Sequence, residues 1–567
     1  MQFKYTQATT FTLGLALTIL VSFGAVFPRL AQADSPGEVE TVVHAVPLYG
    51  TNGLTVDSED HLIIASVNMS AVLVMDTDTG EIIKKHTGPD ISSPDDVAMG
   101  EDGSIYFTDV FSGRVGRISA TGEVSIVTTL KPWVNAIRMS PDGKELFVSH
   151  AIGDDRLTVI DLTGKAEPRI IAEGVGWSNS MSFDPDGRLY APLNLKGVVV
   201  RWDTDTGEYE EVIKTRTLPS SVKFDAKGRM LVTEFVTGGL VRYDMSSGEM
   251  TVLAEGLPTG LDNSAVDSTG RIFIASNHHG GILEVLEGGK TRELSPPGFL
   301  TPSSVAVLPT EDGDLLVASD FYGITFYDTK SFQKVRALPT GFYPFLKDME
   351  SFGVSENVGI PIAAAVDGSD LIIASWMSNT VQVYDLEEKG VTRIIDGNRP
   401  IYAIRFGDDL VVSELETQSV VSISPEGQRS TLVDGIAVPS GLATSGGDLW
   451  AADWSEGRIL KLISDGKVLA EPAVLATGLS KPEGITVAPD GSLLVVESGA
   501  GRLVSINTTS GETTVLAQDL KMGLETTPGG APTSYFSTVA IGSDGTVYVS
   551  CDKGREVVRL KDKLKKQ

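Results

Sequence analysis

Asn52, Asp95, Asn135, Asn179, Ser220 and Asp262 hold the same place in six successive copies of one sequence phrase, and every one of them carries a side-chain oxygen. Brought together, they would present amides, two carboxylates and a hydroxyl to a common point. That set suits a hard cation such as calcium, which takes six to eight oxygen ligands in flexible geometry. It holds neither the histidine nor the cysteine that zinc and copper favour. Asn, Asp and Ser also open strands by bonding local backbone, so one such residue carries no weight and the alignment of six does. A second set follows further along each copy: Asn68, Asp109, His150, Asn194, Glu234 and Asn277-His278-His279. Three of the chain's six histidines are among them. A histidine there suits a general base acting on a cation-bound water, given a pKa near neutrality. His278 and His279 are the first candidates and His150 the next; the carboxylates of Asp109 and Glu234 are equal contenders for the same task.

These residues depend on a repeat for their placing. The phrase is clearest from Val134 to His150, VNAIRMSPDGKELFVSH, an apolar strand, a Pro141-Asp142-Gly143 turn and a second strand. It returns from Asn179 as NSMSFDPDGRLYA and from Glu483 as EGITVAPDGSLLVVE. Twelve copies align; the later six are anchored on Ser303, the vicinity of Pro361, Tyr402, Ser440, Glu483 and Ser537. Most are spaced by about 40 residues, the signature of a radial β-repeat. Longer gaps mark loop insertions around 341–359 and 523–535. Each first pair is followed by a third strand, such as Val198 to Trp202, and after a turn such as Asp203 to Gly207 by a fourth. Alternating β-branched and aromatic residues between Gly turns give four-stranded antiparallel units. Helical periodicity is sustained nowhere.

The expected fold is therefore all-β, and four-stranded units around an axis are propeller blades. Twelve exceed the four to eight that one propeller holds, so the reading is two tandem six-bladed β-propellers, 34–300 and 301–567, divided near Ser295-Pro296-Pro297-Gly298. The last copy lacks a fourth strand, and Glu38 to Val46 is a candidate to supply it, which would make the propellers not strictly sequential. The first strand of each blade lines the channel, so the six anchors of each half converge at a mouth. The second ring has one carboxylate, Glu483, and reads as a water-filled or ligand-binding channel. Its loops carry Asp320-Phe321-Tyr322, Trp376, Glu414, Asp453-Trp454 and Glu497. Trp133 and Trp177, two residues before Asn135 and Asn179, either wall an apolar pocket or pack between blades.

The balance of 46 basic against 75 acidic residues, net −29 over 567 residues, argues against nucleic acid and anionic membranes as partners. Residues 1–33 read as a secretory signal: Lys4, an apolar run from Phe11 to Phe27, and Ala31-Gln32-Ala33 before Asp34. The mature chain is expected to be periplasmic or secreted. No later apolar run is long enough to span a bilayer. Cys551 is the only cysteine, which excludes an internal disulfide, and its strand context reads as core. No P-loop, dinucleotide fingerprint or nucleophile elbow is present.

Asn135 within NAIRMSPDGKELFVSH resembles the Asn-x-x-x-x-Ser-Pro-Asp-Gly blade of the senescence-marker-protein/gluconolactonase family. Leu261 to Asp267, LDNSAVD, resembles the Asp-Asn blade of the related paraoxonases, and strictosidine-synthase-like and NHL-repeat proteins share the blade grammar. In the calcium-dependent lactonases of this group a Glu, one or two Asn and an Asp hold the metal at the channel mouth. Carried over, the resemblance implies Asn135, Asn179 and Asp262 as ligands, with Asp95 and Asn263 next. The family's early Glu falls where this chain has Asn52, and Ser220 interrupts the Asn-Asn-Asp succession. The expected function is an exported, divalent-metal-dependent hydrolase of a small lactone or ester, with calcium foremost. Two alternatives stand beside it: a non-catalytic binding or scaffold propeller for a partner protein, peptide or glycan, and a propeller lyase.

Overall fold

Alternating apolar residues fold into twelve four-stranded antiparallel sheets, which take up every strand among the described residues. The computed structural model describes residues 36–564 apart from 45, 47, 152–154, 258–259, 277–280, 296–300, 321–322, 340–357 and 525–534. The expected signal segment, Asn277-His278-His279, the proposed boundary at 296–298, Phe321-Tyr322 and most of both loop insertions lie outside the described residues.

Blades 1 to 6 span 51–86, 94–129, 134–173, 182–214, 219–254 and 261–295; blades 7 to 11 span 304–339, 363–396, 400–433, 439–476 and 482–517. Blade 12 takes three strands from 539–560 and its outer strand from Val39–His44. Within each propeller the first strands lie side by side around the axis, blade 6 returning to blade 1 and blade 12 to blade 7. Turn chemistry fixes the register. In the turn between the outer strands of blade 4, Asp203 Oδ1 accepts the N–H groups of Asp205 (3.0 Å) and Thr206 (2.9 Å). Gly207 follows at φ +75°, where a Cβ would meet the Ile171 carbonyl oxygen at 1.7 Å; only glycine fits there.

The core lies between blades rather than within them. Leu54, Ile64 and Leu73 of blade 1 pack with Leu48 and with Phe273, Ala275 and Ile282 of blade 6, closing the first propeller with chain from 48–295. The second closes differently. Val39–His44 pairs antiparallel with Glu556–Leu560, and Val42 and Val43 join Val305, Leu316, Tyr327, Tyr548 and Val557 in one buried cluster. Each such valine contributes roughly 1.5–3 kcal/mol. Arg559 meets Glu40 at 2.8 Å and Lys561 meets Glu38 at 2.6 Å along the same edge. The first propeller is thus inserted between the closing strand of the second and the rest of it. This corrects the expected division at 34–300, since 39–44 belongs to the second propeller; a bare outer edge on blade 12 is what the strand covers.

Candidate functional site

A repeated irregularity aims the ring residues. In blades 1, 2, 3, 5 and 6 the register between first and second strands shifts at the anchor, between Thr51 and Leu54, Pro94 and Val97, Val134 and Ile137, Pro219 and Ser221, and Leu261 and Ser264. Such bulges take one or two residues out of the ladder and re-aim their side chains. Hydroxyls near the end of the second strand replace the lost ladder bonds: Thr108 Oγ1 accepts Asp96 N–H at 3.1 Å and Ser149 Oγ accepts Ala136 N–H at 3.1 Å. Gly53 allows blade 2 to come close, because a Cβ there would lie 2.4 Å from Asp96 Cα.

Two amide–carboxylate pairs result. Asn52 Nδ2 donates to Asp95 Oδ1 at 2.9 Å, and Asn179 Nδ2 donates to Asp262 Oδ1 at 3.1 Å. Asp95 is 5% exposed, and its Oδ2 is buried without a hydrogen-bond partner. Burial, and then the negative charges of Asp262, Asp96 and Asp109, push its carboxyl well above the usual carboxylate range. Two carboxylates facing one another in a desolvated mouth repel, and a buried polar atom without a partner is costly. A divalent cation answers both, so Asp95, Asp262, Asn52 and Asn179 fit the group that the resemblance implies. Among the described residues no three of His, Cys, Asp and Glu form a metal cluster; the available donors are two carboxylates supplemented by amides.

The other expected residues are placed as follows. Asn135 stands half-buried on the rim, its carbonyl oxygen accepting Thr108 Oγ1 at 2.5 Å. Ser220 is turned into the wall, donating to the Leu261 carbonyl at 2.6 Å. Asn263 lies one layer deeper with both ends engaged: Oδ1 accepts Ser180 Oγ at 2.8 Å and Nδ2 donates to Asp96 Oδ1 at 3.0 Å. Its neighbour Asp262 reaches the mouth because the bulge separates their levels, while both ends of the Asn263 amide are held in the wall. Asp109 is a loop brace, its oxygens accepting Ser92 N–H, Ser93 N–H and the Ser92 and Ser112 hydroxyls. Glu234 is buried under Arg216, which grips both of its oxygens. Both carboxylates are engaged by these partners, and the charge of Asp109 also acts on Asp95. His150 ends the second strand of blade 3 opposite Val134 and Arg156, buried rather than in a surface loop. Trp133, at φ +75° and 36% exposed, stacks edge-on against Phe111 at 5.4 Å. It forms an exposed apolar rim with Phe111, bridging the loop of blade 2 to the entry of blade 3.

A charged layer that the strand pattern did not flag lies below the mouth. Asp96 Oδ1 also accepts Val97 N–H at 2.9 Å, and Oδ2 accepts Ile137 N–H at 3.1 Å. Lys223, 7% exposed, donates to Ser180 Oγ at 2.7 Å. Burial and then the nearby Arg138 bring its ammonium down to about 7, against the pull of Asp96. Burial raises Asp96 to about 6 against the attraction of Lys223.

The second propeller is organised otherwise. Glu483 is fully buried; Oε2 accepts Ser537 N–H at 2.7 Å and Oε1 accepts Trp454 Nε1 at 3.4 Å. Burial, then the charge of Asp552, pushes its carboxyl up to about 8. Asp552 accepts Gly523 and Leu524 N–H at 2.8 and 2.9 Å. Glu414, Asp453 and Glu497, expected as ligand-facing, brace loops by pairing with Arg429, Arg458 and Arg502. Trp376 and Trp454 line an apolar cluster with Ile401, Val438 and Phe536, and each ring carries a cation, Arg399 at 5.5 Å and Lys481 at 4.9 Å from the ring centres.

Residues 97–320 match the family model of the SMP-30/Gluconolactonase/LRE-like region. The matched stretch holds Asn135, Asn179 and Asp262 and begins just after Asp95. No curated protein matches the chain. Among solved structures, a catalytically inactive variant of virginiamycin B lyase from Staphylococcus aureus with quinupristin is 17% identical, with 51% of this chain and 95% of that one covered and a TM-score of 0.36. The extracellular domain of the one component system BT4673 from B. thetaiotaomicron is 10% identical, covering 92% of this chain and 82% of that one, at a TM-score of 0.34.

Proposed function

We propose, from the match of residues 97–320 to the SMP-30/Gluconolactonase/LRE-like family model and from the mouth geometry, that the first propeller is a divalent-cation-dependent hydrolase of a lactone or ester. The observation that carries this reading is the buried, unpartnered Asp95 Oδ2 facing Asp262, each carboxylate held by an asparagine amide. Asp95 and Asp262 would hold the cation, calcium by the oxygen-only donor set. An asparagine amide has an oxygen end as well as a nitrogen end, so Asn52 and Asn179 add ligands by turning about their last side-chain bond. When bound, the cation polarises the substrate carbonyl and stabilises the oxyanion. Trp133 and Phe111 offer the apolar part of the substrate a surface at the rim. His278 and His279 would serve as the general base; they follow Ser276 in sequence, and Ser276 pairs with Leu261 next to Asp262. His150, buried in blade 3, is the second candidate.

Among the described residues no helix is long and apolar enough to cross a membrane. Export after cleavage near Ala33 is part of the proposal. Metal analysis of the purified protein, followed by a lactone panel with and without chelator, tests the reading. The expected result is one bound divalent ion, chelator-sensitive turnover, and loss of both in Asp262→Ala. An Asp262→Ala protein with normal ion content refutes the ligand set. Bound ion without turnover on any lactone or ester points instead to a binding propeller, and turnover that ignores chelator but needs His278 or His279 points to a lyase.

A further inference from the structure

Below the mouth, two cations, Arg138 and Lys223, share the first channel with one carboxylate, Asp96, and no ion pair joins either of them to it among the described residues. Arg138 lies three residues beyond Asn135 in the first strand of blade 3, and Lys223 lies three residues beyond Ser220 in that of blade 5. At about 3.3 Å per residue both stand roughly 10 Å below the rim. Hydrogen bonds link the layer: Lys223 reaches Ser180, Ser180 reaches Asn263, and Asn263 reaches Asp96, whose Oδ2 takes the N–H of Ile137, the residue before Arg138. Yet Asp96 is already occupied: Asn263 Nδ2, Val97 N–H and Ile137 N–H take its two oxygens. Lys223 meets only the Ser180 hydroxyl, at 2.7 Å. The Arg138 guanidinium donates no hydrogen bond to any described residue; the residue is half-buried, and desolvation lowers the guanidinium's pKa from its ordinary value. A guanidinium presents five N–H donors in a planar fork that matches a carboxylate or another oxyanion. Leaving that fork unfilled in a desolvated channel costs far more than it does at a surface.

We infer that the channel of the first propeller binds a small carboxylate or oxyanion between Arg138 and Lys223. Neither residue belongs to the proposed cation ligands, so the two readings fail separately. The fork supplies direction and the ammonium a second charge, while Asp96 limits the layer to one monovalent guest. An organic acid and an inorganic oxyanion share this chemistry, and competition separates them.

The experiment uses trifluoroacetate as the probe on the mature protein, following 19F line broadening at constant ionic strength, with acetate and inorganic phosphate as competitors. Saturable broadening is expected, at least tenfold weaker in Arg138→Met and also weakened in Lys223→Met. It should persist in Asp262→Ala, which removes the cation site and no part of this one. Displacement by acetate alone identifies an organic acid site, and displacement by phosphate alone an inorganic one; both support the inference. Equal affinity in wild type and in both folded Met variants overturns it, and so does broadening that never saturates.

Discussion

Replacing Glu483 by glutamine should flatten a specific part of the protein's pH–stability curve. The carboxyl is fully buried, and its pKa is raised from 4.5 to about 8, first by burial and then by the charge of Asp552. Below pH 4.5 the folded and unfolded chains both hold the proton, and the stability tied to it is fully present. Between 4.5 and 8 the unfolded chain releases a proton that the folded one keeps, so stability falls as pH rises. Past 8 both release it and the loss is complete. At about 1.4 kcal/mol per pH unit across that gap, the loss sums to about 5 kcal/mol. Glutamine does not titrate, and its single carbonyl oxygen keeps the bond from Ser537 N–H while its amide NH2 replaces the oxygen that accepts Trp454 Nε1, a cost that does not vary with pH. Urea unfolding followed by tryptophan fluorescence from pH 5 to 8.5 reports the effect, since Trp454 touches the group itself. The difference in unfolding free energy, wild type minus Glu483→Gln, should decline steadily by several kcal/mol over that range. A flat difference, constant to within about 1 kcal/mol, would show that Glu483 ionises normally and refute the reasoning.

Other consequences follow from the same packing. Asp95→Asn should stabilise the chelator-treated protein by about 1–3 kcal/mol, because an amide relieves a buried, unpartnered carboxylate, and should abolish any stabilisation by added calcium; thermal scans with and without calcium check both. Val43→Asp should destabilise the second propeller by about 3–5 kcal/mol, the cost of an unpaired charge in the closing cluster, while the first unfolds unchanged, as hydrogen exchange resolved by blade would show. Arg216→Met should cost a similar amount, about 3–5 kcal/mol, by stranding the Glu234 carboxylate, whereas Glu234→Gln should leave kcat on any lactone substrate within about twofold because that residue braces a loop.

The blades were legible because their signals are local. A Pro-Asp-Gly or Asp-x-x-Thr-Gly turn every few residues fixes strand pairs without reference to the rest of the chain, and Val39–His44 could be matched to a missing strand by counting. The mouth was half legible. Asp95 and Asp262 stand where alignment put them, but no local pattern distinguishes Asp95 from Asp96, or Asp262 from Asn263, because the bulge that sends one to the rim and its neighbour to the wall is set by the second strand. The deep layer was not legible at all. Lys223 and Arg138 occupy strand positions that alternation assigns to solvent, and only ring closure, which brings Asn263 to Asp96 across 167 residues, turns those positions into a channel. Asp109, Glu234, Glu414, Asp453 and Glu497 show the opposite case. A carboxylate ending the second strand looks exposed in sequence, and in the folded chain it is consumed by loop N–H groups or by an arginine.

The division of labour between the propellers follows from side-chain length at one position. A serine at the anchor is short enough to bond its neighbouring blade: Ser220 donates to the Leu261 carbonyl at 2.6 Å, Ser440 to Pro482 at 2.8 Å and Ser303 to Pro361 at 3.3 Å. It rivets blade to blade and leaves nothing in the channel. Asparagine and aspartate at the same position reach past that carbonyl and meet one another across the axis, as Asn179 meets Asp262. The second propeller has serines at three of its anchors and a single carboxylate, Glu483, held neutral by burial, so its mouth is apolar and offers tryptophans flanked by cations. The first has one serine and five longer polar residues, so its mouth gathers two carboxylates and three amides, and burial raises the Asp95 carboxyl well above the usual range. On one scaffold, the same position therefore gives a closed seam in one ring and a charged centre in the other.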